Sequence, residues 1–207
     1  MQKKILVGVF IIICAAAFVT INLQYRYRKR QHSILQLIKE DDISPYINDG
    51  DIIFRLGDRI WSTYIKEMSP TDKRFSHLGI IRKYDKKVTV INAEGFTAEG
   101  NDFVNEVPLN DFLKSALSIG IYRIKSIEGK IISDTAMEFI GLPFDWQFDM
   151  EDNSKLYCTE LLYVILKKLE SDIDLNKIWV KEINKYVIPL DIYTQSEYFE
   201  EVGHWHE

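Results

Sequence analysis

The N-terminal segment limits the possible folds, because it holds an uncharged run of nineteen residues from Ile5 to Leu23. Lys3 and Lys4 precede the run, and a basic cluster at residues 26–30 follows it. A helix of this length crosses the hydrocarbon core of a bilayer with little tilt. Residues 1–30 are therefore predicted to form a membrane anchor with a basic flank, and residues 31–207 to form one folded domain with an ample core.

A cleaved signal peptide is the alternative interpretation of the same segment. Its apolar region would be residues 5–13, and the alanines at 15–17 would supply a small-residue cleavage site. The apolar run continues past these alanines through Phe18, Val19 and Ile21 into the basic cluster, which favours an uncleaved anchor. Cleavage would instead give a secreted or periplasmic protein.

The charge balance excludes one class of partner. Residues 1–30 hold six basic and no acidic side chains, so the formal net charge of −5 becomes −11 for residues 31–207. The phosphates of nucleic acid repel a domain this acidic, so no nucleic-acid partner is predicted. The sequence contains no dinucleotide, phosphate-loop or zinc-protease motif, and we expect neither a cofactor nor a metal. His204 and His206 are interpreted as surface residues, and the oligomeric state stays open.

Cys158 is the only cysteine outside the N-terminal run, and a helix is predicted to begin near it. Asn153 or Ser154 is the predicted N-cap of this helix. Its apolar positions recur at helical spacing: Leu161, Leu162, Ile165 and Leu169. Free backbone N–H groups and the helix dipole favour a thiolate at such a position, provided that a histidine lies nearby. A buried core cysteine is the simpler alternative.

Two β-rich runs, residues 75–82 and 88–94, predict a hairpin with its turn at Asp85 and Lys86. Pairing that is symmetric about this turn places His77 opposite Glu94, on the same face of the sheet. The carboxylate could then orient the imidazole ring and leave the second ring nitrogen for a nucleophile. A single bulge would put the two side chains on opposite faces. Cys158, His77 and Glu94 together supply a nucleophile, a base and an orienting group for acyl transfer.

The remaining segments predict short strands mixed with short helices. A lead-in helix and turn are expected within residues 31–49, and a strand or long loop over residues 96–107. The other predicted elements are strands at 51–55, 119–125 and 186–190 and helices at 59–68, 108–113 and 131–140. The last residues are predicted to form a polar, aromatic tail.

Four motifs carry a resemblance to a known family. They are GDIIFR at 50–55, FSHLGII at 75–81, GLPFD at 141–145 and YCTEL at 157–161. Together they resemble the permuted papain-like branch of the NlpC-type hydrolase superfamily, the YiiX/YaeF-like proteins, over most of residues 45–202. The resemblance implies an α+β, circularly permuted papain-like core in which an antiparallel sheet packs on helices and the histidine strand precedes the cysteine helix.

The resemblance also implies roles for individual residues. Cys158 would be the nucleophile, His77 the general base and Glu94 the third polar residue, and the backbone N–H of Cys158 would stabilise the oxyanion. Thr159 stands where such proteins often have serine, a difference that does not touch the chemistry. A bacterial cell-envelope location is implied as well, with the domain held at the membrane by the N-terminal helix.

Three functions follow from these features. The leading hypothesis is a cysteine amidase or peptidase that cleaves an amide, for example in cell-wall peptides, through a Cys158 thioester. The second is a lipid acyltransferase or lipase of the lecithin:retinol acyltransferase type, and the third is an inactive membrane-tethered binding module. Polar residues crowd the segment 145–155, with Trp146 and Phe148 among them and Tyr157 just after, and favour a small peptide over an acyl chain. The predicted partner is therefore a peptide or acyl-containing small substrate.

Overall fold

The structure, a computed structural model, describes residues 38–95, 102–114, 116–181 and 183–206. The predicted anchor or signal peptide at residues 1–30 lies outside these ranges. None of the helices within them has the length and apolar character needed to span a bilayer.

Helices and strands alternate irregularly along the described chain. In order they are α1 (Glu40–Ile43), β1 (Ile52–Gly57), α2 (Ile60–Glu67), β2 (His77–Tyr84), β3 (Lys87–Glu94), β4 (Phe103–Pro108), α3 (Leu109–Leu113), β5 (Ala116–Ile124), α4 (Gly129–Met137), α5 (Cys158–Lys168), β6 (Ile178–Val180), β7 (Lys185–Val187), α6 (Asp191–Thr194) and β8 (Phe199–His206). Most predicted elements are present within a few residues of their expected bounds.

A six-stranded antiparallel sheet organises the molecule, with strand order β4-β3-β2-β1-β5-β8. Strands β6 and β7 form a separate antiparallel pair. Helices pack on the large sheet, which confirms the predicted α+β class with an antiparallel sheet on helices. Strand β1 lies between β2 and β5, so a segment near the start of the domain occupies the middle of the sheet.

The predicted hairpin register is confirmed from the Ile80–Ile91 pair to the turn. Ile80 pairs with Ile91 and Tyr84 pairs with Lys87, as expected for pairing symmetric about the turn. The turn residues Asp85 and Lys86 have positive φ angles of 46° and 64°. Two consecutive residues in the left-handed region match the twist of a two-residue hairpin, so this turn forms without glycine.

Side-chain alternation along the strands produces a core on each face of the sheet. The first core cluster joins one face to α4 and α5, and includes Phe54, Leu78, Ile80, Leu161 and Ile165. The second core cluster joins the other face to α1 and α3, and includes Ile43, Ile53, Ile81, Val90 and Phe112. A smaller third cluster of Tyr157, Val180 and Val187 lies beneath the β6–β7 pair.

Two sequence predictions were wrong. Tyr157, not Asn153 or Ser154, is the N-cap of α5, because the chain between residues 145 and 157 follows a loop held by hydrogen bonds to the Asp145 carboxylate. The expected C-terminal tail is strand β8, which pairs with β5 at the edge of the sheet. Most side chains of β8 stay exposed or half-buried, so it lacks the apolar alternation by which strands are recognised.

Candidate active site

Cys158 is the first residue of α5, and its half-buried thiol packs against the first core cluster. Burial raises the pKa of the thiol to about 11, while the backbone N–H groups of Leu78 and Thr159 act in the opposite direction. The pKa change expected from the helix dipole was therefore wrong in sign. Loss of water around the sulfur outweighs the N–H groups at the helix start.

The segment after β7 fixes the start of α5 from above. The Ile188 N–H donates to the Tyr157 hydroxyl at 3.2 Å, and the Thr159 hydroxyl donates to the Ile188 carbonyl at 2.7 Å. Tyr193 donates to the Thr159 carbonyl at 2.7 Å. Both neighbours of Cys158 are thus held by buried hydrogen bonds, which limits movement of the thiol.

His77 begins β2, and its ring is part of a polar chain across three strands. His77 Nε2 lies 2.9 Å from Asn92 Oδ1, and Asn92 Nδ2 donates to Asn105 Oδ1 at 3.0 Å. Because the Asn92 amide nitrogen is turned toward Asn105, its oxygen faces the ring and accepts the Nε2 proton. Nδ1 of the neutral ring therefore keeps the free lone pair that a base requires.

Glu94, the predicted orienting group, forms an ion pair with Arg55. Arg55 lies opposite His77 in the pairing of β1 with β2, and its side chain is only 7% exposed. Arg55 Nη1 donates to the Phe112 carbonyl at 2.9 Å, and the guanidinium carbon lies 4.4 Å from the centre of the Phe112 ring. His77 stacks near the same ring at 5.8 Å.

These contacts keep the histidine neutral. Burial and, next, the charge of Arg55 lower the pKa of His77 to about 4, against the opposing effects of Glu94 and Asn92. Burial by itself raises the pKa of Glu94, but the charge of Arg55 brings it below the usual value. At neutral pH the site therefore contains a thiol and a neutral imidazole beside a part-buried ion pair.

The structure brings the three predicted residues to one cavity, whose lining includes Cys158, His77 and Glu94. His77 contacts Asn92 on β3, and Glu94 contacts Arg55, the residue paired with His77 on β1, so His77 and Glu94 share one face of the sheet, as the register predicted. The thiol reaches β2 at the backbone N–H of Leu78, the residue after His77. Within the described ranges no hydrogen bond joins the ring to the thiol, and the assignment of a catalytic triad stays a prediction.

Three further polar residues of the site were not predicted from the sequence: Asn92, Asn105 and Arg55. Asn92 is two residues from Glu94 and so shares its face of β3, and it is a fully buried polar side chain within an apolar run. An asparagine within an apolar strand, on the same face as Glu94, could have indicated a polar residue of the site. Asn105 and Arg55 come from β4 and β1, and their positions depend on the strand order, which the sequence did not supply.

The cavity has a volume of about 420 Å³ and is mostly apolar, which differs from the polar approach expected from the sequence. Asp145 is buried and turns its carboxylate to backbone N–H groups of its own loop. The aromatic residues interleaved with the acidic ones line the cavity instead. Together with α2 and its C-cap, and with the end of β7 and the segment after it, they supply Trp61, Tyr64, Met68, Phe144, Trp146, Phe148, Tyr157, Val187 and Leu190.

Gly95 allows this aromatic wall to form. A Cβ at this position would lie 2.8 Å from the Trp146 ring and 2.9 Å from the Phe144 ring. The two rings pack against each other with centroids 4.8 Å apart. The cavity therefore depends on a glycine directly after Glu94. In the part of the chain that the structure describes, no three His, Cys, Asp or Glu side chains converge as metal ligands would.

A cysteine at a helix start, a half-buried histidine on an earlier strand and a six-stranded antiparallel sheet define the class of papain-like cysteine hydrolases in permuted order. Residues 46–188 match the family of permuted papain-like amidases, YaeF/YiiX, C92. The chain belongs to this family.

A solved structure supports the same fold. The chain is similar to the crystal structure of metalloprotein yiiX from Escherichia coli O157:H7, with 18% sequence identity and a TM-score of 0.64. The alignment covers 78% of this chain and 99% of that one. Comparison with curated proteins gives no match.

Proposed function

We propose that the protein is a cysteine hydrolase that cleaves an amide, with an apolar part of the substrate in the cavity beside Cys158. One observation carries this proposal: Cys158 and His77 line the same aromatic cavity in a chain of the amidase family. An apolar cavity with a few polar groups at one end is the usual form of a site for a small molecule.

The reaction follows from the protonation states of the two groups. His77 Nδ1 takes the proton of Cys158 as the sulfur attacks the amide carbon, and the backbone N–H of Cys158 donates to the oxygen that becomes negative. The carbon–nitrogen bond breaks, the amine leaves with the proton from His77, and a thioester remains. Water then attacks the thioester, His77 takes and returns one proton, and the acid leaves with the free thiol restored.

In this mechanism Asn92 orients the ring, and Glu94 acts mainly through its charge. Nε2 of His77 donates to Asn92, which leaves Nδ1 for the thiol. The carboxylate of Glu94 is engaged by Arg55 and raises the basicity of His77 from a distance. In this proposal the side-chain amide of Asn92 therefore has the orienting role that was expected for Glu94.

The lining of the cavity narrows the choice of substrate. Cell-wall peptides remain candidates if an apolar group accompanies the scissile amide. An apolar acyl chain fits the aromatic lining better than a charged peptide does, which also favours the second candidate, an acyltransferase or lipase acting on an ester. We place the amide first, because the family is one of amidases.

A metal is not part of the proposed reaction. The relative yiiX is described as a metalloprotein. In the described ranges of this chain, the side chains that could bind a metal have other partners, since Glu94 pairs with Arg55 and His77 binds Asn92. No three such groups converge there.

We further propose that residues 1–30 hold the domain at the bacterial cell envelope.

The test uses the full-length chain with Cys14→Ala, so that Cys158 is the only thiol. It is incubated with N-acyl amides of increasing chain length, with muropeptides and with phospholipids, and products are identified by mass spectrometry. We expect amide cleavage that improves with the apolar group and is abolished by Cys158→Ala and by His77→Ala.

Release of acyl chains from phospholipid without any amide cleavage would favour the lipase. Absence of all products, together with no labelling of Cys158 by a thiol-directed acyl probe, would favour the inactive binding module.

A further inference from the structure

Large aromatic side chains are exposed around the mouth of the cavity. Trp61 and Tyr64 on α2 are 50% and 41% exposed, and Trp146 is 42% exposed. Trp179 and Tyr186 on the β6–β7 pair are 49% and 57% exposed. We call these five residues the aromatic rim. Such a concentration of exposed rings is unusual on a water-facing surface and marks an interaction site.

The rim comes from three segments that border the cavity. Trp61, Tyr64 and Trp146 line the cavity directly. On the β6–β7 pair, Val187 lines the cavity, while Trp179 and Tyr186 pack against each other on the outer side with ring centroids 5.0 Å apart. The third core cluster connects this pair to the end of α2.

Helix α2 leaves much of its apolar side exposed at the cavity. None of its eight residues is buried, and Ile60 at its first turn is 63% exposed. An amphipathic helix that packs only on its own domain would bury that side. Here the helix places isoleucine, tryptophan and tyrosine beside the entrance of the cavity, so these side chains are available to an external apolar phase.

Positive charge accompanies the β6–β7 part of the rim in a domain that is otherwise acidic. Residues 176–187 carry three lysines and one glutamate, whereas residues 31–207 have a net charge of −11. Lys177 and Lys181 are exposed, and Lys185 pairs with Asp149 at 3.3 Å. Tryptophan and tyrosine favour the boundary between lipid tails and headgroups, and lysines beside them are attracted to anionic headgroups.

We infer that the aromatic rim docks the domain on an anionic lipid bilayer, with the cavity opening toward the membrane. The length of the N-terminal segment supports this occupant. Only fourteen residues separate the end of the uncharged run at Leu23 from Ile38, where the described chain begins. Even fully extended, such a linker reaches about 50 Å, so a domain tethered by the predicted span stays at the bilayer surface.

Three of the four tryptophans belong to the rim, which permits a direct test. Single-tryptophan forms of the full chain keep Trp61, Trp179 or Trp205, with the others changed to phenylalanine. Trp205 is the matched control, because it packs against the second core cluster and does not line the cavity. Each form is mixed with vesicles that contain brominated acyl chains, made either of phosphatidylcholine alone or with phosphatidylglycerol.

We expect fluorescence quenching of Trp61 and Trp179 to exceed that of Trp205 by about twofold or more, and to increase with phosphatidylglycerol. This difference in quenching is expected whether or not residues 1–30 anchor the chain, because it compares tryptophan positions within the same protein. Equal quenching at all three positions, or none at Trp61 and Trp179, would overturn the inference and favour a protein partner for the rim.

A second measurement leaves every tryptophan in place. In the parent chain, Lys177→Glu with Lys181→Glu should reduce quenching by brominated anionic vesicles. Lys86→Glu with Lys87→Glu, an equal total charge change at the exposed turn between β2 and β3, should not. The same loss of quenching from the turn variant would show that overall charge, not the rim, controls membrane contact.

Discussion

Arg55 places a buried positive charge beside both groups of the proposed reaction. Its charge lowers the pKa of His77 and acts against the burial that raises the pKa of Cys158. A free base and a more acidic thiol are both useful to a cysteine hydrolase. We regard Arg55 as a positioning residue, since it touches Glu94 and Phe112 and acts on the reacting groups through its charge.

Replacing Arg55 should shift the pH dependence of catalysis. Activity requires neutral His77, so kcat/KM of the parent should fall on the acid side near pH 4, where His77 gains its proton. Arg55→Met removes the charge that lowers this pKa, and the acid limb should move to higher pH. Glu94→Gln is the matched control and should move it to lower pH, because Glu94 acts in the opposite direction. An unchanged limb in both variants would exclude His77 as the titrating base.

The thiol should react slowly with small alkylating reagents. Because burial raises the pKa of Cys158 to about 11, little thiolate is present at pH 7. In the Cys14→Ala chain, iodoacetamide should modify Cys158 more slowly than a free thiol with a pKa of about 8.5, and the rate should keep rising above pH 9. Mass spectrometry of timed samples measures the rate. Fast modification with a plateau near neutral pH would instead indicate a resting thiolate.

Asn92 and Glu94 can be distinguished by mutation. If Asn92 orients the ring, Asn92→Ala should lower kcat/KM by roughly 10- to 100-fold, whereas Glu94→Gln should leave more activity. Steady-state kinetics on an amide substrate gives both values, and near-ultraviolet circular dichroism checks the fold. A larger loss with Glu94→Gln would return the orienting role to the carboxylate.

The sequence could predict part of this site and not the rest. The turn centre gave the register of β2 with β3, and therefore the shared face of His77 and Glu94. The register could not show whether Glu94 or Asn92 binds the His77 ring, because directly opposed and diagonal neighbours are both within reach of an imidazole. The ion pair of Glu94 with Arg55 depends on β1 lying beside β2, a long-range fact that local patterns do not contain.

At the scale of elements, the segments with strong hydrophobic periodicity were predictable, whereas the edge strand β8 and the start of α5 were not. The hairpin and the cysteine helix have clear periodicity, and both are present. Strand β8 is stabilised by pairing with β5 while its side chains stay largely exposed, so its sequence resembles a tail. The start of α5 was misplaced because Asp145 organises the preceding loop over a distance that N-cap rules do not consider.

The hairpin turn offers a test of element stability. Lys86 adopts a φ of 64°, which is strained for a residue with a side chain. Lys86→Gly should therefore stabilise the protein by roughly 0.5 kcal/mol, as the relief of strain exceeds the entropy cost of glycine. Lys87→Gly, at the first residue of β3, is the control and should destabilise by a similar amount. Urea unfolding measures both, and a lower midpoint for Lys86→Gly would contradict the assigned turn.

At the scale of the whole molecule, one buried carboxyl makes stability depend on pH. Glu160 on α5 is fully buried, and its Oε1 has no hydrogen-bond partner in the described part of the chain. Burial raises its pKa to about 8. The folded protein therefore holds this carboxyl protonated. Its contribution to the free energy of unfolding is complete below the unfolded pKa of about 4.5 and is lost as pH rises through 8.

Glu160→Gln should remove this dependence. Between pH 5 and 9, roughly the range set by the two pKa values, the parent should lose stability as pH rises, and the variant should lose less. The glutamine oxygen can still accept the Tyr157 N–H that Glu160 accepts at 3.4 Å. Thermal unfolding at several pH values measures the effect, with exposed Glu197→Gln as the control. Parallel curves for parent and variant would show that Glu160 does not carry the proton.

The strand order also has a consequence for how the chain folds. Strands β2, β3 and β4 follow one another in sequence and pair in that order, and each supplies one member of the chain His77, Asn92 and Asn105. Closing the short loops among them costs less entropy than bringing in α5 from much further along the chain. The contacts that orient His77 are therefore between segments close in sequence. Cys158 is positioned by long-range contacts of α5, which form more slowly.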